Sequence, residues 1–464
     1  MKEGFEYVKN NRLGILIYPD RKFYKEVAVI AIPVALQGLI TIGVNIADTL
    51  MIGMLGERQL SAASLATQYL NMFHSFCMGL SMGASVLASR YWGMKELRSL
   101  KKTIMIMFRC CLLMVLFFTA STLLIPNRIM YMYTGETDVI AYGVQYLKYC
   151  TWSYLFYGMS LTTTIILRSM KKVKIPLVVS VLSFLINIAG NYILMFGKLG
   201  IPAMGIGGAA LSTLIVRIFE FVMICGYLFI VEDAVKFRVT DLFMKAGDLF
   251  PEYIRIGLPV LVSDIVLALG NNVVMMIIGR LGAAFVAANA ITAVVDRLCN
   301  IFIMGVSQGS AVVTGNTLGR GETENVERQG WAFLGIGIVL GLASAAVLLM
   351  IKEPVIHIYR LSEETADITR QLLWAMSLMV IFLSANHILT KGALRGGGDT
   401  KALMVADNIF LWVVSIPLGF IAGLLLHCPP FWVYVCLKME NPLKTIWCIF
   451  RLKSKKWIKK INVV

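Results

Sequence analysis

The sequence predicts an all-α polytopic membrane protein, with twelve transmembrane helices in two pseudo-symmetric six-helix bundles around a central cleft. Three observations predict it. Hydrophobic residues make up 58% of the 464-residue chain and charged residues only 15%, against roughly 25% charged in soluble domains. The apolar residues gather into runs long enough to cross about 30 Å of hydrocarbon. The first half of the chain also recurs in the second. A chain this apolar cannot cover itself with polar surface in water. That excludes a cytosolic enzyme, a disordered chain and a disulfide scaffold.

Residues 1–26 are largely polar and basic, which predicts a cytoplasmic N-terminal segment with no cleavable signal peptide. Twelve apolar segments follow, near 27–53, 60–88, 103–125, 141–167, 175–197, 205–231, 253–279, 285–316, 329–351, 367–392, 402–426 and 429–449. They are continuous runs and not short alternating ones, which excludes a β-barrel. The first six form an amino-terminal lobe, 27–231, and the last six a carboxy-terminal lobe, 253–449. A polar linker, 232–252, joins them, and a basic tail, 450–464, ends the chain.

Charge sets the orientation. Lys and Arg total 43 against 27 Asp and Glu. They cluster at 90–102, 168–174, 236–255 and 438–460, all on one side if the N-terminus is inside. Basic loops stay cytoplasmic, so both termini are expected in the cytoplasm of a multi-pass plasma-membrane protein. The tail sequence KSKKWIKK is expected at the anionic inner leaflet. The bilayer accounts for the basic surplus, so neither nucleic acid nor an obligate protein partner is predicted. The nine cysteines form no CxxC pair and read as unpaired thiols.

The internal repeat is the most informative feature. With Pro33 placed on Pro259, residues 33–96 align with 259–322 without a gap, and 16 of 64 positions are identical. The identities include Asn45/Asn271, Gly53/Gly279, Gly56/Gly282, Gly79/Gly305, Ser81/Ser307 and Gly83/Gly309. Farther on, Leu167-Arg168 aligns with Leu394-Arg395 and Lys174 with Lys401. Six helices per repeat is an even number, so both halves enter the membrane from the same side. Such a parallel repeat is a transporter architecture: two equivalent bundles that rock about a shared site. The small residues at Gly79, Ser81 and Gly83 read first as helix-packing positions.

Ionisable groups at membrane depth are costly and mark function by default. Five acids qualify: Asp48, Glu220, Asp264, Asp296 and Asp407. Asp48 falls on Val274 in the repeat, so the scaffold does not require an acid there. Glu220 follows Arg217 by three residues, a spacing that allows a local ion pair. Asp264, Asp296 and Asp407 are candidate cleft carboxylates; mutual neutralisation with Arg297 is the plainer account of Asp296, and an interfacial position that of Asp407. Asn187 and Asn191 lie four apart on one helical face, near Ser212 and Thr213 of the next segment. Oxygens of this kind suit a hard cation such as Na⁺; an interhelical hydrogen-bond cluster is the alternative. Candidate substrate-cleft residues are Gln37, Tyr69, Phe73, Trp152, Tyr157, Asn271 and Asn386. The aromatic members could attract organic cations or anchor helix ends at the interface.

Four stretches resemble the multidrug and toxic compound extrusion (MATE) transporters: IPVALQGLITIGVNIADTLMIG, LINIAGNYILMFGKLGIPAMGIGGAALST, GLPVLVSD and GALRGGGDTKALM. The resemblance runs over nearly the whole chain, and it rests on the order and spacing of the motifs together. It implies a twelve-helix, cation-coupled antiporter that exports cationic, often amphipathic compounds. It places Asp48 on the acid that carries the coupling cation, and Asn187, Asn191 and Thr213 on positions that complete the site. Part of the family has an acid where Asn191 stands, which leaves H⁺ and Na⁺ both open. Another branch carries acids in the seventh and late tenth helices. Here Asp264 is displaced by about a turn, and late in the tenth segment stand only Asn386 and His387, so a carboxy-lobe cation site of that kind is not expected. The amino-half copy of RGGGDT reads RSMKKV, which predicts only cytoplasmic charge.

The expected function is therefore export of small organic cations in exchange for H⁺ or Na⁺, with no cofactor beyond the coupling ion. A flippase for a lipid-linked precursor is the alternative, and would need a cleft rich in Arg and Lys. Its deepest basic candidates, Arg217 and Arg297, each have an acid close by in sequence. An enzyme is not expected: the histidines at 74, 357, 387 and 427 give no metal-binding spacing, and no phosphate loop is present.

Overall fold

The computed structural model describes residues 16–247, 249–359 and 361–459. The expected N-terminal segment up to residue 15 and the last tail residues, 460–464, lie outside them. The described chain is almost entirely helical. Its helices are α1 Arg21–Gly53, α2 Glu57–Met94, α3 Leu97–Leu124, α4 Thr137–Ser169, α5 Lys174–Phe196, α6 Ile206–Val231 and α7 Leu249–Gly279. Then follow α8 Ala283–Gly319, α9 Thr323–Ile358, α10 Glu363–Gly396, α11 Thr400–Leu425, α12 Pro430–Leu437 and α13 Glu440–Lys453.

Ten of these are long and apolar enough to cross a membrane. Two expected spans differ from the rest. The 33-residue α4 is long, but it carries Thr151, Ser153, Ser160, Thr162, Thr163 and Ser169 buried within its unit. The hydroxyls of Thr151, Thr162 and Thr163 bond carbonyls one turn back at 2.7–2.8 Å. A polar helix can thus run through an apolar interior. The last expected span, 429–449, is broken into α12 and α13 around Lys438-Met439. Large apolar side chains lie exposed along the outer faces, including Leu116 and Phe117 of α3 and Val339 and Met350 of α9. Patches of this kind mark a lipid-facing surface. All nine cysteines are unpaired.

The chain divides into two compact units. Of the described residues, the amino unit holds those from Leu36 to Leu258, and the carboxy unit holds those up to Ala35 together with those from Pro259 onward. The division falls inside α1 and α7, next to Pro33 and Pro259. A proline inside a helix removes one backbone hydrogen bond and bends it. The stretch ahead of each proline therefore packs with the other half's helices. In the amino unit, Gly83 of α2 meets the backbone of Gly257, and the Tyr253 hydroxyl donates to the Leu80 carbonyl at 3.0 Å. In the carboxy unit, Gly305 and Gly309 of α8 meet Ala31, Ala35 and Val27. The repeat-related glycines do the same work twice.

Turn geometry repeats as closely as sequence does. Gly56 and Gly282, which precede α2 and α8, have φ of 122° and 105°. Lys95 and Gly321, which end the same helices, have φ of 61° and 79°. Glu96 donates to the Tyr91 carbonyl, and Glu322 donates to that of Thr317. Lys171 and Gly398 form a third pair, with φ of 63° and 83° and matching bonds to Arg168 and Arg395. RSMKKV thus builds the same turn as RGGGDT with lysine in the left-handed position. That goes beyond the cytoplasmic charge expected of it.

Candidate functional site

In the amino unit, α1 brings Asp48 to the polar face of α5. Asn191 Nδ2 donates to Asp48 Oδ1 at 2.5 Å and faces Asn187 Oδ1 at 3.4 Å. Both asparagines are buried, and Asn191 Oδ1 has no hydrogen-bond partner among the described residues. The approach of α5 to α6 depends on Gly190, where a Cβ would strike the Ser212 hydroxyl. That hydroxyl donates to the Asn187 carbonyl at 3.2 Å and fixes the turn that carries the amides. The Thr213 hydroxyl instead donates to Ala209 of its own helix at 3.1 Å.

Arg217 of α6 stands in the same region, and its charge acts on Asp48. Its bonded partner is Glu220, at 2.7 Å. The Arg217 guanidinium also lies 4.0 Å over the Tyr157 ring, and the Tyr157 hydroxyl meets His74 Nδ1 at 2.5 Å. The spacing of Arg217 and Glu220 had signalled their pairing; nothing in the sequence joined them to Tyr157 and His74.

The aromatic candidates divide by location. Phe73 has no exposed surface; its ring packs on Phe118 and Tyr154 at 5.3 and 4.9 Å. It is therefore core, not cavity lining. Tyr69 bonds Ser121 at 2.5 Å, and Trp152 is 61% exposed. Gln37 is buried and accepts a hydrogen bond from Arg168, which ties α1 to the RSMKKV turn. Asn386 is buried in the carboxy unit and donates to Asn441 Oδ1 at 2.9 Å.

The carboxy unit contains a cavity of about 400 Å³. Asp264, Asp296, Asp407 and Asn271 line it. So do Glu440, Lys391, Lys438 and Lys444, none of which stood out in the sequence. Lys444 Nζ lies 3.2 Å from Asp407 and 3.1 Å from Glu440. Lys444 is 6% exposed. Lys438 and Lys444, at the beginning of the basic cluster 438–460, thus face a cavity. The cavity also bears on two plainer accounts. The charges of both Lys438 and Arg297, which is exposed, act on Asp296, and Asp296 faces the cavity. Asp407 is not interfacial but buried and ion-paired.

Part of the basic tail is also bound to protein. Arg451 clamps Asp399 of the RGGGDT turn with two bonds of 2.6 and 2.9 Å. Lys455 pairs with Glu327 at 2.7 Å. Trp457 is fully buried over Gly397 and Gly330. Trp457 of the KSKKWIKK stretch is thus taken up by the carboxy unit, while Lys453, Lys455 and Lys456 are exposed.

Two repeated helical units, each drawing ionisable side chains in among apolar helices, are the architecture of a multi-pass membrane transporter and not of an enzyme. The chain belongs to the MatE family, whose profile matches residues 33–193 and 259–421. Both matches begin at the prolines on which the repeat aligns. Among its relatives is the "Probable multidrug resistance protein NorM" of Agrobacterium fabrum, 26% identical over 421 residues, covering 86% of this chain and 88% of that protein. The protein of the same name from Thermotoga maritima is 24% identical over 400 residues, covering 86% and 85%. The fold matches a solved structure titled "Outward-facing conformation of a multidrug resistance MATE family transporter of the MOP superfamily", with a TM-score of 0.84, 18% identity, and 93% and 96% of the two chains covered.

Proposed function

We propose that this protein exports small organic cations, often amphipathic, across the plasma membrane by antiport against H⁺ or Na⁺, with both termini in the cytoplasm. One observation carries the reading: a carboxylate, Asp48, held by Asn191 in the interior of a membrane-spanning unit. The relatives' names, which speak of multidrug resistance, support the substrate class. In the proposed cycle, organic cation and coupling ion compete for the charge of Asp48. The membrane potential supplies about 2.3 kcal/mol per charge per 100 mV for inward cation movement. The buried, unpartnered Asn191 Oδ1 favours a metal cation over a bare proton, because hard cations take oxygen ligands. Asp48, Asn187 and Asn191 would then hold Na⁺. Thr213 would join only by releasing its bond to Ala209.

The flippase reading is less well supported. Arg217 is already paired with Glu220, Arg297 is exposed, and the three lysines of the carboxy-unit cavity share it with four carboxylates. Reconstituted protein tests the proposal. Uptake of a fluorescent organic cation into proteoliposomes should respond to an imposed Na⁺ or H⁺ gradient, and Asp48→Asn should abolish that response. Full activity of Asp48→Asn would refute the role assigned to it.

A further inference from the structure

The linker between the two halves is pinned to the outside of α3. Lys101 Nζ donates to the Lys236 carbonyl and to Asp241, both at 2.8 Å. Arg109, about two turns farther along α3, donates to the Leu242 and Met244 carbonyls at 2.8–3.2 Å. Behind these bonds the Phe237 ring is fully buried against Phe108 and Phe229. The linker therefore helps to cover α3 over 103–108, where every residue is buried. Just past Arg109 the same helix turns its apolar side chains outward, with Leu112, Leu113, Leu116 and Phe117 exposed. Likewise α6 ends in exposed Ile230 and Val231 before the linker begins. The linker thus lies along the rim of the lipid-facing band, where hydrocarbon gives way to headgroups.

At that rim stand Val239 and Phe243, 61% and 82% exposed. They open and close one short 3₁₀ turn, Val239–Phe243. A phenyl ring left in water forfeits its burial, whereas at a bilayer interface the same ring is an anchor. The charges around it complete the pattern. Of the acids in 232–247, Glu232 pairs with Lys172 at 3.4 Å and Asp241 with Lys101, which leaves exposed Asp233. Against it stand Arg109, Lys236, Arg238 and Lys245. All four are exposed, and none makes an ion pair among the described residues. Arg109 in particular is held by neutral carbonyls alone.

We propose that this linker is a docking surface for anionic phospholipid. Val239 and Phe243 enter the boundary between headgroups and acyl chains, and the four basic side chains take the phosphates and acidic headgroups around them. A zwitterionic lipid covers the ring but carries no net charge to answer the cations; free phosphate answers the cations and leaves the ring in water. Anionic lipid is thereby a ligand of the segment that joins the two lobes. Nothing in this contact involves Asp48.

The test uses the full chain in phosphatidylcholine nanodiscs doped with a photoreactive lipid. Two probes are compared at equal doping, phosphatidylglycerol and phosphatidylcholine, each with a diazirine near the headgroup end of one acyl chain. Adducts are mapped by mass spectrometry on the linker, 236–245, and normalised to those on the lipid-facing face of α3, 112–117. The phosphatidylglycerol probe should label the linker roughly tenfold more than the phosphatidylcholine probe. The triple change Lys236→Gln/Arg238→Gln/Lys245→Gln should bring the two probes to parity, while Lys236→Arg/Lys245→Arg keeps the preference. Phe243→Ser should lower labelling by both probes. These side chains are exposed, so an unchanged thermal midpoint is expected of each variant. Excess inorganic phosphate should displace neither probe. Equal labelling of the wild-type linker by the two probes overturns the proposal, and so does a preference that survives the triple change. Labelling by neither probe, the result if protein or a second copy covers this face, overturns it as well.

Discussion

At the scale of single residues, the two units show different relations between sequence and site. Asp48 was legible because its repeat partner is an apolar valine, and Asn187 and Asn191 because their spacing declares a shared face. The carboxy cavity was not legible. Its charged members come from five helices between positions 264 and 444, and no local spacing connects them. Lys438 and Lys444 were hidden further, because basic residues near a chain end read as cytoplasmic until a partner such as Asp407 is seen. Two outcomes follow for the amino unit. Asn191→Ala removes the donor to Asp48, a loss of about 1–3 kcal/mol. The ion concentration for half-maximal transport should rise roughly tenfold, as read in proteoliposomes. Gly190→Ala introduces a methyl group where Ser212 now lies. It should weaken coupling without touching any charged group, while the smaller neighbour in Gly190→Ala/Ser212→Gly should restore much of it.

At the scale of elements, the repeat was visible as sequence identity but its strongest expression is conformational. Lysine and glycine occupy equivalent left-handed positions, Lys95 with Gly321 and Lys171 with Gly398, so matching letters could not reveal the shared turns. Left-handed backbone costs a non-glycine residue about 1 kcal/mol or more. Lys95→Gly should therefore raise the thermal midpoint in detergent, and Gly282→Ala should lower it through a stability loss of about 1 kcal/mol, although the added methyl would meet no neighbouring element within 4 Å. The linker gives a pH prediction. Its Asp241 accepts from the Arg238 N–H at 2.9 Å and pairs with Lys101 of α3 at 2.8 Å. Burial opposes its charge, but these two partners outweigh burial and hold the carboxyl below the ordinary aspartate range. A depressed carboxyl stabilises the folded linker fully above the unfolded value, near 3.9, and the contribution is lost as pH falls through the folded value. Amide exchange across 239–243, corrected for intrinsic rate, should thus accelerate only in acid, and Asp241→Asn should show the acid behaviour at neutral pH.

At the scale of the whole molecule, composition and apolar length were sufficient to predict the class. The exchange of opening segments at Pro33 and Pro259 was not foreseen, because hydropathy records how long a helix is and not which neighbours it chooses. The packing of the tail's tryptophan was hidden for a related reason: a run of lysines around one tryptophan looks like a lipid anchor until Gly330 and Gly397 are seen to leave space for the ring. Trp457→Ala empties that space and should cost about 3–5 kcal/mol. Arg451→Ala strips the main partner from buried Asp399 and should cost about 3 kcal/mol. Both are measurable as a lower thermal midpoint of the purified protein. The clamp has a consequence for biogenesis. Asp399 is synthesised some fifty positions before the arginine that answers it, so α11 and α12 must enter the bilayer while the turn beside them is still open. A ribosome that stalls in that interval would release a chain with its helices inserted but its last joint unlatched, a state that membrane proteases could distinguish from the finished transporter.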